Sequence, residues 1–129
     1  MSKVLISDTL SGRAAEVFRS RGVDVDVSID LDPEDLIARI GGYDGLAVRS
    51  STQVTAEVLS AGKRLRVVGR AGIGVDNIDV AAATKCGVVV MNTPFGNSTT
   101  TAEHTIALLM ALCRQIPQAD RSTQMGKWE

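Results

Sequence analysis

Two arginines and one glycine-rich turn are the groups in this chain best suited to hold an anion. Arg70 opens the turn Arg70-Ala71-Gly72-Ile73-Gly74, and Arg49-Ser50 follows the apolar run Gly45-Leu46-Ala47-Val48. A guanidinium presents paired N–H donors that match a carboxylate or a phosphate. Backbone N–H groups in a glycine turn just before a helix add further donors, uncrowded by side chains. The plainer alternative is a tight turn flanked by solvated arginines.

The same turn has the outline of a dinucleotide-binding loop, and it fails the closer tests. The fingerprint needs a third glycine and an acid at the end of the next strand, for the ribose. Here Gly72-Ile73-Gly74 supplies two glycines, Asn77 stands at the third position, and the next strand ends in Met91-Asn92. The unit is also the fourth in the chain, whereas the fingerprint usually sits in the first. What the turn offers instead is an anion site.

Other candidates carry less. The only histidine, His104, lies mid-helix beside Glu103 and is expected to be packed or at an interface. No second His or Cys sits at ligand spacing, so no metal is expected. No nucleophile–base pair is visible. Cys86 and Cys113 read as buried thiols. Asp24, Asp26, Asp30 and Asp32 read as a solvated edge leading into a helix cap, without the glycine and glutamate of a calcium loop.

The elements that position these groups alternate. Strands are predicted at 3–7, 23–27, 45–48, 65–68 and 88–91. Helices run from a Ser11 cap to Gly22, from an Asp32 cap to Gly41, over 55–61 and over 77–85. Such alternation predicts an α/β fold, a doubly wound parallel sheet of five strands covered on both faces. The second strand alternates Val with Asp and reads as an edge, which favours the flavodoxin-like order 2-1-3-4-5. Ligands then sit at the carboxyl ends of strands one, three and four, at Ser7-Asp8, Arg49-Ser50 and Gly69 to Gly72. Residues 1–97 are expected to form this domain.

The pattern changes after Asn97. Ser98 to Cys113 reads as one long helix, apolar nearly all round, and a second helix starts near Pro117. A helix of that kind is buried on more than one side, which predicts packing against another domain or a second copy of the chain. Gly126-Lys127-Trp128-Glu129 closes the sequence without strand or cap and reads as a cut end.

Composition narrows the function classes. The chain has 129 residues, 44% apolar and 3% aromatic, with net charge −1. That suits a single aliphatic core. There is no basic surface for nucleic acid and no run long enough for a membrane span. Lys3-Val4 enters a strand directly, with no signal peptide, so a cytoplasmic location is expected.

At Lys3 to Asp8, Val48-Arg49-Ser50, Val67 to Asn77, Val90-Met91-Asn92-Thr93-Pro94, Gly96-Asn97-Ser98, Arg114 to Ala119 and Gly126 to Glu129 the sequence resembles the D-isomer-specific 2-hydroxyacid dehydrogenases. The resemblance spans almost the whole chain in order. It implies a two-domain NAD-dependent oxidoreductase of which this chain is the outer, substrate-binding domain plus linking helices over 98–129. The Rossmann domain, with the catalytic Arg, Glu and His, would lie outside it, as would a segment that returns to complete the outer domain. NAD is then not expected to bind this chain tightly.

By the same resemblance, Arg49 and Ser50 face the substrate, and Arg70 helps hold the phosphate of 3-phosphoglycerate or 3-phosphohydroxypyruvate, placing the reaction in serine biosynthesis. The backbone of Ala71, Gly72 and Ile73 meets the substrate carboxylate. Ile73 touches the nicotinamide side of the cofactor, and departs from members that carry a hydroxyl there. Asn92 to Ser98 forms a hinge, centred on Asn97 and Ser98. A homo-oligomer is expected. The alternatives are an unphosphorylated 2-hydroxyacid as substrate, or a non-catalytic flavodoxin-like binding module. A receiver domain would need an acid where Arg49 stands and a lysine where Asn92 stands. A flavin carrier would need aromatic rings.

Overall fold

The computed structural model describes residues 1–127. Trp128 and Glu129, part of the resemblance above, lie outside the described residues. The chain divides into two compact units, the first Met1–Gly96 and the second beginning at Asn97.

The first unit runs β1 (Lys3–Ile6), α1 (Gly12–Ser20), β2 (Asp24–Val27), α2 (Pro33–Ile40), β3 (Gly45–Val48), α3 (Ala56–Ala61), β4 (Val67–Arg70), α4 (Val80–Lys85) and β5 (Val89–Met91). All neighbouring strands are parallel, in the order β2-β1-β3-β4-β5. The predicted flavodoxin-like sheet is therefore the one that forms. Local chemistry sets several boundaries as expected. Asp32 caps α2 by accepting from the Asp35 N–H at 2.8 Å, with Pro33 in the first turn. Gly22, with φ +72°, takes the left-handed conformation that ends α1.

Two boundaries differ. The fourth strand spans 67–70 rather than 65–68. Gly62 turns the chain so tightly that the Leu65 N–H bonds the Gly62 carbonyl at 2.9 Å, and the buried Leu65 packs beneath the strand instead of joining the ladder. This shift carries Arg70 into the sheet as the last residue of β4. The fourth helix starts at Val80 rather than Asn77, because Asp79 is its cap and accepts from the Ala82 N–H at 2.8 Å.

Two-faced coverage holds over only half the sheet. One face carries the main core, with Leu5, Leu46, Val48 and Val68 of the strands under Leu36 and Ile40 of α2, Val58 and Leu59 of α3 and Ala83 of α4. The other face carries Val4, Ile6 and Val25 under Ala15 and Phe18 of α1. Strand order explains the imbalance. The step from β1 to β2 runs one way along the sheet, and all later steps run the other way. Right-handed crossovers then put α1 on one face and α2, α3 and α4 on the opposite one. Over β4 and β5 the α1 face is bare, with Val89 59% and Met91 58% exposed. A groove of about 440 Å³ opens there, lined by Val4, Phe18, Ala47, Val67, Gly69 and Met91 among others.

The second unit holds α5 (Ser98–Cys113) and α6 (Ile116–Gln124), joined through Gln115 in the left-handed conformation with φ +50°. Helix α5 has no buried residue, although Ile106, Leu108, Leu109, Met110 and Leu112 are all large and apolar. No helix among the described residues is long and apolar enough to cross a membrane.

The cysteines correct an expectation, since both are exposed. Cys86 sits at the C-cap of α4, outside its packed face, and Cys113 ends α5, which packs nothing away. His104 is likewise exposed on α5.

Candidate functional site

The carboxyl ends of β1, β3 and β4 converge as the strand order requires. Val48 of β3 stands beside Arg70 of β4, and the Ala71 N–H donates to the Val48 carbonyl at 2.9 Å. Arg49 and Arg70 therefore project from neighbouring strand tips.

Beneath Arg49 lies a buried carboxylate. Asp8, 4% exposed, accepts from the N–H groups of Arg49 at 2.6 Å, Ser51 at 3.2 Å and Thr52 at 3.0 Å, and from the Thr52 hydroxyl at 2.5 Å. Asn77, 5% exposed, works on the same loop from the other side: its Nδ2 donates to the carbonyls of Arg49 at 2.8 Å and Thr52 at 2.7 Å. Donors and acceptors of one short loop are thus satisfied by two buried side chains. Asp8 is spent on this loop and is not available to a ligand. The Arg49 and Ser50 side chains are exposed and make no hydrogen bond among the described residues.

Arg70 is held differently. Its side chain is only 11% exposed, and its Nη1 donates to Asp76 Oδ1 at 2.5 Å, while Asp76 is 83% exposed. The hydrogen bond from Arg70 is the main cause that holds the Asp76 carboxyl below the usual carboxylate range, with Asp76's own backbone N–H second. The glycines serve this pair. A Cβ on Gly74 would sit 2.7 Å from the Asp76 carboxylate and 3.3 Å from Arg70 Nη1. The turn is pinned from β5 as well, where Asn92 Nδ2 donates to the Ile73 carbonyl at 2.6 Å and the Thr93 N–H to the Gly72 carbonyl at 2.9 Å.

This geometry revises how the turn could meet an anion. The N–H groups of Ala71 and Gly72 already donate, to the carbonyls of Val48 at 2.9 Å and Arg70 at 3.0 Å. Those of Ile73 and Gly74 have no partner among the described residues. Helix α4 begins beyond the turn, and the negative Asp79 caps it, so its N-terminus adds no donors to the site. The Ile73 side chain is 43% exposed at the rim. Asn97 and Ser98 are exposed where the second unit begins.

The sequence reading assigned Asn77 only as the wrong residue for a third glycine, and it assigned Asp76 nothing. An amide in a position where a nucleotide loop needs the smallest residue was the available signal. Among the described residues no group of three or more His, Cys, Asp or Glu could hold a metal.

The family model for the D-isomer specific 2-hydroxyacid dehydrogenase catalytic domain matches residues 4–124. The chain belongs to the D-isomer-specific 2-hydroxyacid dehydrogenases. Within this family it is 50% identical to D-3-phosphoglycerate dehydrogenase of Archaeoglobus fulgidus over 127 residues, covering 98% of this chain and 24% of that protein. It is also 50% identical to D-3-phosphoglycerate dehydrogenase of Homo sapiens over 129 residues, covering all of this chain and 24% of that protein. The chain thus spans about a quarter of the length of the curated relatives it matches. A Pyrococcus horikoshii crystal structure superposes with TM-score 0.88 at 34% identity, over 100% of this chain and 38% of that one. NAD+-bound 3-phosphoglycerate dehydrogenase of Entamoeba histolytica superposes with TM-score 0.73 at 31% identity, over 85% of this chain and 38% of that one. The two arginines lie at the carboxyl ends of β3 and β4, on one side of the β1/β3 point where the strand order reverses.

Proposed function

We propose that this chain is the substrate-binding part of an NAD-dependent dehydrogenase that interconverts 3-phosphoglycerate and 3-phosphohydroxypyruvate in serine biosynthesis. The observation that carries this reading is the pair of arginines on adjacent strand tips, Arg49 and Arg70, in a chain half identical to D-3-phosphoglycerate dehydrogenases over its whole length. A substrate with a carboxylate and a phosphate offers two anions, and two guanidinium groups match them. The Ile73 and Gly74 N–H groups supply donors for the carboxylate, with Ser50 at the rim.

NAD, when bound, exchanges a hydride with C2 of the hydroxyacid. The glycine turn does not fit the dinucleotide's pyrophosphate, because two of its amides are used internally and the Arg70 side chain lies across Gly72 and Gly74. Ile73 offers the cofactor an apolar contact only. The work of these residues is to bind and orient the substrate. The proton and hydride steps belong to a Rossmann domain in the longer protein, reached through the linking helices of residues 98–129 and the hinge at Asn97 and Ser98. The bare sheet face over β4 and β5 suits a returning segment that completes the outer domain. The apolar surface of α5 suits burial in a homo-oligomer. The reading also carries a cytoplasmic location.

The 129-residue chain is expected to bind 3-phosphoglycerate weakly and to turn it over with NAD not at all. Nuclear magnetic resonance shifts confined to residues 49–52 and 70–74 on titration check the binding, and NADH absorbance checks the turnover. Turnover above background, or an unshifted spectrum, contradicts the assignment. An unphosphorylated 2-hydroxyacid is the second reading, favoured by the ion pair that already occupies Arg70.

A further inference from the structure

We propose that Asp76 is a positioning residue that aims the Arg70 guanidinium at the substrate phosphate, while its neighbour Asn77 fixes Arg49 from the next position in the chain. This rests on the phosphorylated-substrate reading above and goes beyond it. Asp76 fixes one arginine by its side chain, through Arg70 Nη1 at 2.5 Å. Asn77 fixes the other by its backbone, through the carbonyls of Arg49 and Thr52. Two consecutive residues therefore hold the Arg70 guanidinium and the backbone from which Arg49 projects.

The orientation has chemical content. With Nη1 committed to Asp76 and Nε buried, Nη2 is the guanidinium nitrogen left to donate to a ligand. A phosphate oxygen can accept a charge-assisted hydrogen bond from Nη2. Asp76 is 83% exposed, so water and salt screen its charge. It acts as a clamp more than as a competitor for the incoming anion. Gly74 is what leaves room for it: any side chain there would displace the carboxylate.

The test uses the full-length enzyme, with 3-phosphoglycerate and D-glycerate as paired substrates. For Asp76→Ala we expect KM for 3-phosphoglycerate to rise roughly tenfold, with kcat, KM for NAD and the D-glycerate kinetics unchanged. Asp76→Asn keeps an acceptor oxygen for Nη1 and should restore most of that loss. A fall in KM for Asp76→Ala would mean that the carboxylate competes with the phosphate, and it overturns the proposal. So does an unchanged KM, or a loss shared by both substrates and NAD. If the unmutated enzyme takes D-glycerate as well as 3-phosphoglycerate, the phosphate reading itself fails, whatever Asp76 does.

Discussion

The two arginine loops reach the same end by opposite means. At Arg49 the backbone is clamped from both sides by buried Asp8 and Asn77, and the side chain is left to solvent. At Arg70 the side chain is clamped by Asp76 and mostly buried. The difference lies in when conformational entropy is lost. Ordering an arginine side chain costs on the order of 2 kcal/mol. Arg70 loses most of that freedom on folding, so a ligand need not order it again. Arg49 retains its freedom and loses it on binding, in return for reach. A site with one fixed and one adaptable cation can hold one anion in register while the rest of the substrate moves.

Removing the Arg49 clamp should have the largest effect. Asp8→Ala leaves the partly buried N–H groups of Arg49, Ser51 and Thr52 without their acceptor, each worth about 1–3 kcal/mol when water is excluded, so the loss should be about 3 kcal/mol. Urea unfolding of the 129-residue chain measures it. A loss under about 1 kcal/mol would show that water replaces the carboxylate and that the loop needs no clamp. Asn77→Ala removes the donors to the partly buried carbonyls of Arg49 and Thr52 and should cost less, about 1–3 kcal/mol. Its second signature is larger amide hydrogen exchange over residues 49–52 than over 70–74. Equal loosening of the two loops would erase the contrast between them.

The smallest effect is electrostatic. Asp76 titrates below the usual range because Arg70 bonds its charged form. Its folded value is depressed, so the stabilisation is complete above the unfolded value and is lost as pH falls through the folded one. The stability change should be slight because the carboxylate is exposed. The carboxyl carbon shift of Asp76 checks the direction, and Arg70→Ala should move the titration up toward the ordinary aspartate range, with the backbone N–H still lowering it. A titration unmoved by that substitution would show that the backbone N–H alone sets it, and that Arg70 is less fixed than the contact implies.

Much of this architecture was legible in the chain. The alternation of apolar runs with capped helices gave five strands and their order, because an edge strand betrays itself by alternating Val with Asp. That order, with right-handed crossovers, already entails a half-covered sheet, a consequence the expectation of two covered faces overlooked. The partners within the site were not legible. Asp8 meets Arg49 across 41 residues, and Asn77 meets the Arg49 carbonyl across 28. Local pattern carries no signal for contacts of that span. The sequence by itself determined the strands, their order and the presence of two arginines at adjoining tips. Tertiary structure alone decided that Asp8 is spent internally, that Asn77 is a clamp and not a defective glycine, and that Asp76 takes hold of Arg70. The reason is geometric: periodicity specifies which face a residue occupies, but a hydrogen bond depends on ångström-scale placement of loops brought together only when the sheet has formed.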